Sequence, residues 1–414
     1  MWVYYFFAAL LVLQAVISLQ GGARYLSYIR RETNRERPDF TPYVSVISPC
    51  RGIDQGLHEN LAALFRQEYP AYEIIFVTDR SDDPALTIIE EARREFEESS
   101  GVAVQIVIAG EATECGQKVH NLAAAIRQTD PESKVFVFVD SDARPRALWL
   151  RSLVAPLADE EMGATTGYRW FIPVKGGFAS ILRSVWNASI ASALGERSDK
   201  NFCWGGSTAI RRAIFDRALV MDEWSGAVSD DFAMMRALRR ARLPVHFVPD
   251  CLTASHEDCN WRELLEFTTR QLKITRVYAT HFWQVVLFSN LLFVLIFFGG
   301  LALIIWRAAL GLSFIGPLAF IFTIYALGIA KAYLRWRAIN IPLAQYREEL
   351  RRDAFFHLLL WPLASVLYLY NALCALLSRS IKWRGITYEL KSPKETVIIA
   401  PARRGNDSEQ ISKP

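Results

Sequence analysis

Four apolar stretches, each close to the roughly 20 residues that carry a helix across a bilayer core, constrain this chain more than any other feature. One opens the chain, "MWVYYFFAALLVLQAVISL"; three follow residue 281, "FWQVVLFSNLLFVLIFFGGLALIIW", "LSFIGPLAFIFTIYALGIAKAYL" and "FFHLLLWPLASVLYLYNALCALL". They lift the apolar fraction to 52%, above the soluble average. The first lacks a basic stretch before its apolar run and a small-residue cleavage site, so it reads as a retained anchor rather than a signal peptide. Arg24, Arg30, Arg31, Arg35 and Arg37 come directly after it, and the positive-inside rule puts that side in the cytoplasm.

The expected organisation is an anchor at 1–20, a basic juxtamembrane linker at 21–42 and a cytoplasmic domain at 43–255. An interfacial helical segment at 256–281, membrane helices at 282–378 and a basic tail at 379–414 follow, the final "PARRGNDSEQISKP" being expected to be disordered. One conflict stands out. If all three late segments span, Arg379, Lys382, Arg384 and Lys391 end on the wrong side, so Pro362 is expected to kink the last segment or make it re-enter. The net charge of +4, with arginines beside the apolar segments, suits an anionic lipid surface and gives no case for nucleic acid. Cys50, Cys115, Cys203, Cys251, Cys259 and Cys374 form no CxxC pair or zinc spacing, which predicts neither disulfides nor a structural metal.

Between the apolar ends, short β-type runs alternate with helical periods. "YVSVIS", "YEIIFVTD", "VAVQIVIAG" and "KVFVFVDSD" are each followed by an amphipathic stretch, which predicts an α/β domain with a mostly parallel sheet. Ligands of such sheets sit beyond the carboxyl ends of the strands. Three runs end in polar residues, "VISPCRG", "FVTDRSDD" and "FVDSDARP", and bring Arg51, Asp79, Asp140 and Asp142 to one edge. A single strand-end aspartate is more often a turn or cap. Two aspartates at i and i+2 after an apolar run need a cation or counter-charge between them. Hard oxygens so placed suit Mg²⁺ or Mn²⁺, completed by water and substrate phosphates, and so point to a diphosphate-bearing substrate. In "VSDDFAMMRAL", Ser229 is placed to cap a helix whose first turn holds Asp230 and Asp231; acids there favour the helix dipole without any catalysis.

Together "SVISPCRGID", "NLAALFRQEYPAYEIIFVTDRSDDPA", "GQKVHNLAAA", "VFVDSDARP", "CWGGSTAIRR" and "VSDDFAMMRAL" resemble the family-two inverting glycosyltransferases of GT-A fold. More narrowly they resemble the ceramide glucosyltransferase group, with its bacterial hopanoid-associated members. The likeness runs from about Val44 to Arg276, and "IKWRGITYEL" extends it to the tail. The resemblance implies that Asp79 holds the nucleotide base, that Asp140 and Asp142 form a DxD motif for metal and diphosphate, and that Asp231 is the general base. It places Lys118 near the sugar nucleotide and Gly205, Gly206 and Ser207 where the acceptor loop passes the donor; Arg51, at the same sheet edge, is a further nucleotide-sugar-binding candidate. A (Q/R)xxRW motif is matched by Arg270, but Lys273 stands for its arginine and Ile274 for its tryptophan; lysine offers charge without a fork, and isoleucine cannot stack. Arg276 is a candidate for the missing fork, and Trp204 and His256 are secondary candidates, although a lone loop histidine is more often a bystander.

What the resemblance implies is transfer of glucose or N-acetylglucosamine from a UDP-sugar to a bilayer lipid such as ceramide or a hopanoid, with a divalent cation, at a bacterial inner membrane. A processive polysaccharide synthase would want more spanning helices and an intact QxxRW. A non-catalytic sugar-nucleotide-binding membrane protein would suit Lys273 and Ile274 but not the retention of Asp79, Asp140, Asp142 and Asp231.

Overall fold

The computed structural model describes residues 1–400, so "PARRGNDSEQISKP" and the disorder expected of it lie outside the described residues. The chain divides into two compact units. One comprises Arg35–Trp170, Glu196–Glu257 and the chain from Arg379 onward; the other comprises Met1–Asn34, Phe171–Gly195 and Asp258–Ser378.

In the first unit β1 (Val44–Pro49), β2 (Tyr72–Thr78), β3 (Ala103–Ile108), β4 (Val135–Phe138), β5 (Ala164–Ile172), β6 (Thr208–Arg211) and β7 (Val245–His256) form one sheet. Its order is β3-β2-β1-β4-β6-β5-β7. β1 runs parallel to β2 and β4, and β2 to β3. β1 and β2 are buried along almost their whole length, which is why they read as continuous apolar runs. The helix Ala85–Ser100 buries Ala85, Ile89 and Ala92, one stripe at helical spacing. The parallel half matches the βα alternation. β6, antiparallel to both β4 and β5, extends the sheet in a way the alternation does not announce.

Register decides where the polar strand ends go. Pro49 lies opposite Val77, and Ile47 opposite Phe138, so Arg51, Asp79 and Asp140 emerge at the same sheet edge. Arg37, expected in a linker against lipid, instead binds Asp250 of β7 at 2.8 Å and the Ser152 carbonyl at 3.0 Å.

The tail is more than a basic extension. β8 (Ser380–Trp383), β9 (Ile386–Ser392) and β10 (Glu395–Ala400) form an antiparallel sheet. Its β8–β9 turn places Arg384 at φ 49° and Gly385 at φ 82°, the left-handed pair that a two-residue hairpin turn requires. Ile381, Tyr388 and Leu390 are buried. The Tyr388 hydroxyl accepts from the Gln117 amide at 3.1 Å, and Thr396 Oγ1 donates to the Gly226 carbonyl at 2.7 Å.

In the second unit the helices Trp2–Thr33, Thr280–Ala309 and Ile315–Ile339 are long and apolar enough to cross a membrane. Ala8, Leu11, Phe293, Phe297, Ile321 and Ile324 pack together among them. The first helix continues to Thr33, through arginines expected in a linker. The fourth apolar segment is broken as Pro362 suggests: Ala344–Leu359 and Trp361–Leu377 meet at 71°, with the proline in the first turn of the second piece, where it lacks no needed hydrogen bond.

Candidate active site

The acidic strand ends of the first unit converge on two cations. Lys118, in the first turn of the helix Gln117–Ile126, places Nζ 2.7 Å from Asp140 Oδ1 and 3.2 Å from Asp230 Oδ2. Arg169, on β5, forks between the paired aspartates: Nη2 is 3.1 Å from Asp140 Oδ2 and Nη1 3.0 Å from Asp142 Oδ2. Its guanidinium lies 4.8 Å from the centre of the Trp204 ring, a cation–π contact that holds the fork in place. The repulsion expected within Asp-x-Asp is thus relieved by a bidentate arginine and a lysine.

Three glycines make this packing possible. A Cβ at Gly205 would lie 2.7 Å from Lys118 Nζ and collide with the Asp230 carboxylate; one at Gly116 would lie 2.7 Å from the Val228 carbonyl. Gly206 similarly leaves room for the Trp204 ring, which would meet a Cβ there. Beyond the pair, Asp54 accepts from Ser141 Oγ at 2.6 Å and from Arg384 Nη2 at 2.5 Å, so the tail hairpin reaches the Asp-x-Asp turn. Arg51 Nη1 lies 3.3 Å from Asp79 Oδ2, and Asp79 is buried.

Charges in this cluster are strongly displaced. Burial pushes the Asp230 carboxyl up, Lys118 pulls it back, Asp231 and Asp140 push it further, and the balance stands at about 6. Burial works against the Lys118 ammonium, yet Asp140 and Asp230 hold it above the ordinary lysine range. Burial would raise Asp142; Arg169, with Arg384 and Lys118, brings it below the usual carboxylate range.

The neighbouring acids make separate contacts. Asp230 is 4% exposed and turns to Lys118. Asp231 is half-buried, and its Oδ1 accepts from Ser229 Oγ and from the Phe232 amide at 2.7 Å. Ser229 holds the N-cap position without a side-chain capping bond, which corrects the expected cap: its hydroxyl orients Asp231 instead.

A divalent cation can be tested against these residues. Asp142 Oδ1 is buried and accepts no hydrogen bond, an oxygen left available next to Asp140. Among the described residues no group of three or more His, Cys, Asp or Glu side chains is placed to hold a metal ion. With the other three oxygens of the pair held by Lys118 and Arg169, a divalent cation at Asp142 Oδ1 would have to complete its shell from phosphate and water.

His256 ends β7, and Glu257 beside it acts electrostatically on Arg169 and Arg384. Arg270, Lys273 and Arg276 belong to the second unit, on the helix Trp261–Tyr278. There Arg270 lies over Phe267 at 5.5 Å, and Lys273 Nζ is 3.4 Å from Ser378 Oγ. Arg276 donates to the Ala375 and Leu376 carbonyls and lies over Trp283. Its Nη1 caps the carboxyl end of the helix Trp361–Leu377, a use that sequence did not suggest. Arg169, Arg384 and Asp54 are the residues that motif reasoning missed. A lone charge inside "ATTGYRWFI" was the available signal for the first.

A model of glycosyl transferase family 21 matches residues 6–396. Ceramide glucosyltransferase 1 of Caenorhabditis elegans is 31% identical over 100 residues, 24% of this chain and 21% of that protein. Ceramide glucosyltransferase 3 of the same organism is 30% identical over 86 residues, 21% of this chain and 18% of that protein. The chain thus spans about a fifth of the length of the curated relatives it matches. Among solved structures, a mannosyltransferase from Pyrobaculum calidifontis in complex with GDP-Man and Mn²⁺ is 17% identical with a TM-score of 0.47, covering 89% of this chain and 99% of that one. Glucosyl-3-phosphoglycerate synthase from Mycobacterium tuberculosis, in complex with Mn²⁺ and UDP-glucose, is 15% identical with a TM-score of 0.36, covering 58% and 84%.

Proposed function

The chain belongs to glycosyl transferase family 21, and from that premise we propose that it moves glucose or N-acetylglucosamine from a UDP-sugar to the hydroxyl of a membrane lipid, with inversion. The observation that carries the reading is the Lys118–Asp140–Asp142–Arg169 cluster at the carboxyl edge of the sheet. The names of the curated relatives support a lipid acceptor such as ceramide, and a hopanoid is a second acceptor of the same kind; the apolar helices support an acceptor that stays in the bilayer. The arginines that close the first helix favour a cytoplasmic sheet unit at a bacterial inner membrane.

In this reading Arg51 and Asp79 receive the nucleotide base, while Arg169, Lys118 and Arg384 face the diphosphate. Asp140 and Asp142 would hold a divalent cation, which when bound would supply positive charge to the diphosphate. The acceptor oxygen attacks the anomeric carbon from the face opposite the diphosphate. The bond to the diphosphate breaks, its electron pair stays on the phosphate oxygen, and the acceptor proton passes to Asp231.

Titration of UDP-glucose into the purified protein, with and without Mn²⁺, tests the donor half. Mn²⁺ should tighten binding about tenfold or more in the wild type and have no effect in Asp142→Asn. Equal binding with and without Mn²⁺ in the wild type would remove the cation from the account.

A pH dependence follows from Asp230. Below about 6 it takes up a proton, Lys118 loses one of its two carboxylates, and donor affinity should fall. Stability moves the other way. Because the folded carboxyl sits above its ordinary 3.8, the fold binds the proton more tightly than the unfolded chain, and stability declines as pH rises between those values. Asp230→Asn should flatten both profiles, read by donor titration and thermal melting.

A further inference from the structure

Lys331 and Arg335 stand one turn apart on the same face of the helix Ile315–Ile339, directed at the helix Trp2–Thr33. Lys331 Nζ is 2.6 Å from Ser18 Oγ, and a Cβ at Gly22 would lie 3.3 Å from Lys331 Cγ. Arg335 is 6% exposed, and it acts electrostatically on Lys331, Tyr25 and Tyr368 and on the buried His357. Among the described residues neither Lys331 nor Arg335 forms an ion pair, and Asp353 is taken by Arg352 at 2.9 Å. The Tyr25 hydroxyl is buried without a hydrogen-bond partner, whereas Tyr368 is engaged with Ser189 and the Trp186 carbonyl.

Like charges four residues apart on a helix repel, and a buried charge with no partner is strongly destabilising. The buried Arg335 guanidinium, the half-buried Lys331 ammonium bonded to the neutral Ser18 hydroxyl, and the buried Tyr25 hydroxyl without a hydrogen-bond partner together form a site suited to an anion. Their depth names its source. The cluster lies toward the ends of the two helices that also carry Arg24, Arg30, Arg31 and Arg337, where the apolar stretches give way to basic residues, and hence near the level of lipid phosphates. Basic pockets between spanning helices at this level bind anionic head groups.

We propose that Arg335, Lys331 and the Tyr25 hydroxyl bind the phosphate of an anionic phospholipid held between the helices Trp2–Thr33 and Ile315–Ile339, a lipid that stabilises the fold and is not the acceptor. The guanidinium and ammonium supply the charge-assisted contacts, and the tyrosine donates the third hydrogen bond.

The full-length protein is compared in nanodiscs of phosphatidylcholine with and without phosphatidylglycerol, read by melting temperature and by native mass spectrometry of retained lipid. The wild type should retain phosphatidylglycerol and melt higher in its presence. Arg335→Met should bind it about tenfold or more weakly, as the loss of a charge-assisted contact implies, while melting no lower than wild type in pure phosphatidylcholine. Arg337→Met, at the same helix end, should behave as wild type. Should Arg335→Met not fold, Tyr25→Phe carries the test, with weakened retention expected. No retained lipid, a retained lipid that is zwitterionic, or unchanged retention in the variants would overturn the proposal. So would inorganic phosphate stabilising the wild type in pure phosphatidylcholine as well as phosphatidylglycerol does, since the anion would then come from solution.

Discussion

Asp231→Asn should lower the rate of sugar transfer by about 10²–10⁴-fold, the range contributed by a positioned general base, and leave donor affinity unchanged. The separation of the two adjacent acids underlies this. Asp230 is buried against Lys118, which the proposed reading puts on the donor side. Asp231 is more open, and Ser229 and the Phe232 amide fix one of its oxygens; in the proposed reading the other takes the acceptor proton. Asparagine keeps the shape and the oxygen but cannot take a proton, so the loss falls on kcat. Asp230→Asn should do the reverse, raising the donor KM more than it lowers kcat, because Lys118 is loosened from the diphosphate side. If Asp230→Asn abolishes transfer while Asp231→Asn does not, the roles are exchanged.

Gly205→Ala is the smallest change with a comparably large expected effect. The added methyl would meet the Asp230 carboxylate and Lys118 Nζ, both held by the same ion pair, so neither can yield without breaking it. A shift of the lysine by about 1 Å is enough to cost about 10²-fold in rate. The comparison variant is Gly195→Ala in the second unit, where a Cβ meets nothing within 4 Å. Transfer should survive there and be lost at Gly205; equal activity in both would show that the crowding at Gly205 is immaterial.

Part of this fold was legible because burial on both faces writes itself as an unbroken apolar run, as in β2 and β4. The Asp-x-Asp turn was legible for the complementary reason, two like charges where a core strand stops. β5 and β7 were not. Thr165, Thr166 and Gly167 interrupt β5, and their polarity is satisfied by distant partners, Thr165 by the Leu153 carbonyl at 2.5 Å and Thr166 by the Ser207 carbonyl at 3.2 Å. In β7 the charge of Asp250 is balanced by Arg37 and Arg146, residues far away in sequence. Local pattern carries no trace of such pairings. Arg169 was hidden in the same way: its acids come from another strand end, and only the folded sheet shows that one guanidinium answers both. Arg384 lay inside a quoted motif, but its role depends on a hairpin turn that brings it to Asp54.

The most direct measurement is transfer of radiolabelled sugar from a panel of UDP-sugars into membrane lipid extracts, with and without Mn²⁺ or Mg²⁺, for wild type and Asp231→Asn. One labelled lipid, formed from one donor, dependent on the divalent cation and absent with the variant, is the expected result. Binding of UDP-glucose without a labelled lipid from any donor would contradict it and leave a sugar-nucleotide-binding membrane protein in its place.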